Sequence, residues 1–123
     1  MTKERPDPRE LLPVKPIVFH IILLLMDGER HGWSIAKELE KRMGDGKKLL
    51  PGNLYRTLRT MLSQSIIEES DRRPDPEIDD ERRRYYRLTE FGAEVGRVEA
   101  RRLEHLVGAA RSKNLLSAQG TRS

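Results

Sequence analysis

Apolar positions recur along this chain in two rhythms, one helical and one extended. From Pro16 to about Met26 nearly every residue is apolar, and β-branched residues become few after Ile22, so Leu23, Leu24, Leu25 and Met26 predict helix rather than strand. Asp27-Gly28 reads as a helix stop followed by a turn. A second helix is predicted from about Gly32 to Met43. There Ile35, Ala36, Leu39 and Met43 recur at helical spacing, with Lys37, Glu38 and Lys41 on the other side. Gly44, Asp45 and Gly46 end it, and Lys47 and Lys48 follow as a basic loop. Pro51 suits the first turn of a third helix, where its missing N–H costs nothing. That helix runs to about Gln64. Leu54, Leu58, Met61 and Leu62 form its apolar stripe, with Gly52, Arg56, Arg59 and Ser63 almost opposite.

The rhythm then changes. Ile66 to Ser70 and Arg84 to Leu88 read as short strands, the second rich in tyrosine, a good strand former. Between them lies a polar loop from Asp71 to Arg83 with Pro74 and Pro76, so the two strands predict a hairpin with a long tip. Thr89 reads as the N-cap of a last helix, with Glu90 favoured in its first turn by the helix dipole. Val95, Val98, Leu103, Leu106, Val107 and Ala110 give that helix an apolar side as far as about Arg111. The expected organisation is a flexible arm over 1–15, a folded unit over 16–88, a C-terminal helix over 89–111 and a disordered tail over 112–123. Helix, helix, helix and hairpin is the order of a winged helix-turn-helix. The fold class is therefore mainly α with a two-stranded β-hairpin and an added C-terminal helix.

With 123 residues the chain fits one domain and a small core. Its 24 Lys and Arg against 20 Asp and Glu leave a formal charge of +4, which permits contact with a polyanion without demanding it. The absence of cysteine excludes disulfides, thiolate metal sites and a cysteine nucleophile, and fits a reducing cytoplasm. The apolar stretch from Ile17 to Met26 is shorter than the roughly 20 residues a bilayer span needs. Asp27, Gly28, Glu29 and Arg30 follow it where a signal peptide would have small residues, so a soluble cytoplasmic protein is expected. His20, His31 and His105 lie far apart on different elements, which predicts no metal; His31 is expected to order the turn into the second helix. There is no nucleophile–base pairing and no glycine-rich phosphate loop, so neither an enzyme nor a cofactor is expected.

Several blocks together resemble the PadR family of transcriptional regulators. They are Leu24-Leu25, His31-Gly32-Trp33, Leu50-Pro51-Gly52-Asn53-Leu54-Tyr55-Arg56-Thr57-Leu58, Ile66-Ile67-Glu68, and the run from Arg82 to Gly92, covering about residues 17–107. The resemblance implies a homodimer built largely by the C-terminal helix against the partner's N-terminal helix. It implies that the third helix enters the major groove of double-stranded DNA while the wing touches the flanking backbone or minor groove. It further implies a regulator, usually a repressor, that in some members is relieved by a small-molecule effector. The chain departs from the family pattern in carrying Leu50 where a capping Ser is common, Asn53 where Thr or Ser is usual, and Trp33 in place of Tyr.

On that basis Val95, Val98, Leu103, Leu106, Val107, Ile17 and Ile21 are the expected dimerisation residues. Arg56 and Arg59 are expected to donate to guanine or phosphate, the bland alternative being a solvated surface. Asn53 has an amide suited to adenine, and Tyr55 reads equally as a phosphate contact or as packing against the wing. Lys47 and Lys48 are phosphate anchors or simply solvated. At least one of the wing arginines Arg82, Arg83, Arg84 and Arg87 is expected to touch DNA, with Arg83 and Arg84 as the named candidates and the choice left open, since Asp79, Asp80 and Glu81 offer ion pairs that would occupy some. Trp33 is expected in the core at the start of the second helix rather than in a ligand pocket. The competing reading is a winged-helix protein-interaction module that has lost DNA binding, favoured by the acidic loop residues Asp75, Glu77, Asp79, Asp80 and Glu81.

Overall fold

The computed structural model describes residues 6–43, 51–70 and 84–117. Among them four helices carry the fold: α1 (Pro16–Leu25), α2 (Gly32–Met43), α3 (Pro51–Ser63) and α4 (Glu90–Ser112). Three short strands, β1 (Arg30–His31), β2 (Ile67–Glu69) and β3 (Tyr85–Leu88), form an antiparallel sheet in the order β1–β3–β2. The mainly helical winged fold is the one the periodicity predicts. Ile35 and Leu39 of α2, and Leu54, Leu58 and Met61 of α3, meet Ile21, Ile22, Leu24 and Leu25 of α1 in one buried cluster. Ile67 and Tyr86 from the sheet and Phe91 and Val95 from α4 close it.

The sheet has one strand more than the expected hairpin. Arg30 pairs with Tyr86 and His31 with Tyr85, and the Gly32 amide donates to the Arg84 carbonyl at 3.1 Å. Two residues are too few to show a period of two, so the sequence presents this strand as part of a turn. It leads directly into α2. His31 Nδ1 accepts the Ser34 amide at 3.0 Å and thereby caps that helix, the ordering role expected of it. Earlier in the same turn, Glu29 accepts the Ser70 hydroxyl at 2.8 Å and faces Arg87 at 3.6 Å, tying the end of α1 to the far strands.

Helix α3 stops without a glycine. Ser65 takes a left-handed conformation (φ 64°), the Ile66 amide returns to the Met61 carbonyl and the Ser65 amide to Leu62. This doubly bonded terminus satisfies two otherwise orphaned carbonyls. Asn114 ends α4 in the same way, with φ 67° and the Leu115 amide bonded to the Ala110 carbonyl. Part of the region expected as a disordered tail, residues 113–117, is thus a bonded helix end, and 118–123 lie outside the described residues.

The N-terminal segment also departs from expectation. Over residues 6–15 it is not an unattached arm: Pro8–Leu11 forms a 3-10 turn capped by the Asp7 carboxylate, Leu11 and Leu12 pack on the core, and Val14 is buried. The prolines that suggested an extended polar tail obscured this apolar trio. Residues 1–5 lie outside the described residues.

The anchor is Glu99, a carboxylate 2% exposed on α4. It accepts the Val14 amide at 3.4 Å and a fork from Arg102, whose Nε and Nη2 lie 2.8 and 2.7 Å from its two oxygens. The Arg102 hydrogen bonds, helped by Val14 and opposed by burial, hold this carboxyl below its ordinary value of 4.5. A lowered folded-state value means that Glu99 stabilises the fold above the unfolded value, and that this contribution is lost as pH falls through the folded one. Arg102→Ala removes the hydrogen bonds that lower the Glu99 carboxyl. The stability deficit of that variant, measured by urea unfolding, should therefore be present at about pH 7 and shrink as pH falls below 4.5 toward the folded value. A deficit constant over that range would show that Glu99 and Arg102 are not coupled.

Candidate nucleic-acid interface

Helix α3 contains no carboxylate, and its outward side is polar and basic. A step of about 100° per residue separates its apolar stripe from two other faces. Arg56 and Ser63 lie opposite the buried Leu54, Leu58 and Met61, with Arg59 beside them. Asn53, Thr57, Thr60 and Gln64 follow one another along the flank. Asn53, Arg56 and Arg59 are all exposed, so the three residues expected to meet DNA share the open side of one helix. The guanidinium of Arg56 donates through Nη1 to the side-chain oxygen of Asn53 at 2.8 Å, and the Thr57 hydroxyl donates to the Asn53 carbonyl at 2.8 Å.

The flank of α3 forms one wall of an open groove of about 560 Å³. Asn53, Arg56, Thr57 and Thr60 face across it to Lys15 and Ile17, which the packed N-terminal segment and the start of α1 supply. Lys15 was not anticipated here. Only the folded position of residues 6–15 brings it beside α3, and nothing in the local sequence signals that.

Other expected contacts fall elsewhere. Tyr55 is half-buried against the core cluster, which favours a packing role over a phosphate contact. Arg84 pairs with Glu69 at 3.3 Å, and Arg87 with Glu68 at 2.7 Å. The glutamates of β2 thus engage the described wing arginines across the hairpin, in a role the sequence assigned to the acidic loop. Lys47, Lys48 and Arg83 lie outside the described residues.

Trp33 contradicts its expected burial. It is 53% exposed, with Lys37 Nζ 4.4 Å above its ring and the His31 ring stacked at 6.3 Å. The reason is helical phase: Trp33 and Lys37 lie one turn apart on the side of α2 opposite Ile35 and Leu39.

The expected dimerisation residues divide. Ile21 and Val95 are wholly buried within the protomer and have no surface to offer a partner. Ile17, Val98 and Leu103 are half-buried. Leu106 and Val107 are 54% and 41% exposed, and Leu23 and Met26 show that the outward apolar face of α1 is not the one carrying Ile21. On α4 the stripe that begins with Phe91, Gly92 and Val95 continues in phase through Glu99, Leu103, Leu106 and Ala110. Its first half is covered by its own protomer, and its second half is left uncovered apolar surface. None of the described helices is long and apolar enough to cross a membrane.

Three solved structures share this fold. A PadR family transcription regulator from a hypervirulent Clostridium difficile superposes with a TM-score of 0.65 at 22% identity, over 80% of this chain and 97% of that one. Lactococcus lactis ZitR, solved as a cysteine-to-serine mutant, matches over 97% of this chain and 70% of its own, with a TM-score of 0.56 and 22% identity. Bacillus subtilis PadR in complex with operator DNA gives a TM-score of 0.53 at 21% identity, over 65% of this chain and 44% of that one. At these identities the likeness establishes the fold. No protein of curated function matches the sequence significantly. The sequence profile of the transcriptional regulator PadR-like family matches residues 21–98, more than half of the chain, and the chain belongs to that family.

Proposed function

We propose that this protein is a sequence-specific DNA-binding repressor that acts as a homodimer on an inverted-repeat operator. The observation that carries this reading is the acid-free helix α3 with Asn53, Arg56 and Arg59 exposed along its open side. A polyanion meets no carboxylate there, and amide and guanidinium groups match the hydrogen-bonding edges of the major groove. The likeness of fold to a regulator solved with operator DNA supports DNA binding.

The uncovered half of α4 supports the dimer. Leu103, Leu106, Val107 and Ala110 extend a core stripe past the end of their own protomer's core, and the outward Leu23 and Met26 of α1 offer the matching apolar surface. A two-fold pair of such chains would set its α3 helices about one DNA turn apart, roughly 34 Å, which calls for an inverted repeat. Cytoplasmic location accompanies this role, and a small-molecule effector would act by favouring one packing of the α1–α4 seam over another.

The test is a titration of the protein against a labelled duplex of its own promoter region, at two salt concentrations, with unrelated DNA as competitor. A competitor-resistant complex of two chains per site is expected, weakened steeply by salt because phosphate contacts release counterions. Failure to bind any duplex above competitor level would overturn the reading and leave the winged-helix protein-interaction module in its place.

A further inference from the structure

Asn53 and Arg56 lie one turn apart on α3, and their hydrogen bond restricts what either can read. Arg56 carries only donors, so the Asn53 amide must turn its oxygen toward the guanidinium, and the 2.8 Å contact fixes that orientation. The Asn53 NH₂ group is then the end directed away from Arg56. Recognition of adenine by asparagine needs that same oxygen: it must accept from the adenine amino group through its second lone pair, beside the guanidinium, while the NH₂ donates to N7. Here that oxygen already accepts from a cation. An adenine amino group brought to it would press a donor against the guanidinium. A guanine edge, with acceptors at both O6 and N7, meets donors from both side chains.

We propose that Asn53 and Arg56 act as one reading unit that presents donors to the major groove, selecting a guanine edge and disfavouring adenine. Asn53 is the positioning member: its oxygen holds the guanidinium against the flank of α3, and its NH₂ supplies a further donor. The inference rests on the DNA-binding reading above and specifies the base class that this part of the site takes. It also replaces the adenine contact that asparagine alone suggests from the sequence.

The experiment is selection of bound duplexes from a random pool by the full-length protein, compared with Asn53→Ala, Asn53→Asp and Arg56→Ala. Wild type should enrich guanine at one position of each half-site. Arg56→Ala should lower the guanine-over-adenine preference there by about tenfold or more, the scale of a bidentate contact. Asn53→Ala should lower the same preference by a smaller factor, because Arg56 loses its fixed orientation. Asn53→Asp should bind more weakly overall, since it adds a negative charge beside phosphate, and should keep only part of the preference, because a carboxylate still holds Arg56 but the NH₂ donor is lost. Substituting 7-deazaguanine, which removes N7 and keeps O6, in the selected duplex should cost wild type part of the affinity that Arg56→Ala loses and add little to that variant. Enrichment of adenine at a position that Asn53→Ala alone makes indifferent would overturn the composite reader and leave DNA binding intact. A pool that yields no bound fraction would overturn both.

Discussion

Arg56→Ala combined with Arg59→Ala should lower affinity for the operator duplex by about 100-fold or more and remove its resistance to competitor DNA. Both side chains are exposed on α3 and neither contributes to the buried cluster, so the double variant should keep the wild-type melting temperature and oligomeric state. That separation gives the variant its value, since loss of binding without loss of fold can only come from the helix surface. The dependence on salt should also become shallower, because cations that displace counterions have been removed. Equal affinity of the double variant and wild type would take α3 out of the interface.

Gly92→Ala should be more damaging than the same change at Gly28, Gly96 or Gly108. A Cβ at Gly92 would run into the Ile66 carbonyl oxygen and lie 2.8 Å from Leu88 Cδ1. The Leu88 methyl can turn aside, but the Ile66 carbonyl cannot yield easily. The Ile66 carbonyl accepts the Thr89 amide at 3.1 Å, and the Thr89 hydroxyl, which caps α4 by accepting the Gly92 amide at 2.9 Å, lies 2.6 Å from the Ser65 carbonyl. Moving the start of α4 therefore disturbs the end of α3 and the first residue of the hairpin together. A loss of about 3 kcal/mol is expected, near the upper end for overpacking, with a melting temperature lower by roughly 10 °C. Gly108 is the control. A Cβ there meets nothing within 4 Å, so Gly108→Ala should stabilise α4 by about 0.5–1 kcal/mol. Similar melting temperatures for the two variants would mean that the α3–α4 junction is not tightly packed.

Helix positions were legible because each buried stripe repeats over several turns. Leu54, Leu58 and Met61 mark α3 as clearly in the sequence as in the fold, and the exposure of Arg56 and Arg59 follows from the same phase. Features that depend on distant partners were not. Two residues of β1 have no pattern of their own and become a strand only when Tyr85 and Tyr86 arrive beside them. Glu99 reads as one polar residue of an amphipathic helix, and its burial depends on a segment some eighty-five residues earlier in the chain. Trp33 and Ile21 are a different case. Their helical phase was available in the sequence and places Trp33 outward and Ile21 inward, but composition outweighed it. The Asn53–Arg56 contact also lay within reach, since a spacing of three on a helix brings side chains together.

The central position of β3 bears on how the wing can diversify. The ends of the loop over residues 71–83 are pinned independently of its content: the Ser70 amide bonds the Tyr85 carbonyl at 2.8 Å, and the Arg84 carbonyl accepts from Gly32 on the other side. Closing a longer loop between fixed ends costs only about 0.6 kcal/mol for each doubling of its length. Lengthening the chain between these two ends therefore costs the scaffold little in loop-closure entropy. The α2 cap and the core are held by residues outside that segment. Under the proposed function, affinity could then drift through the segment between β2 and β3, while sequence preference would change only through α3.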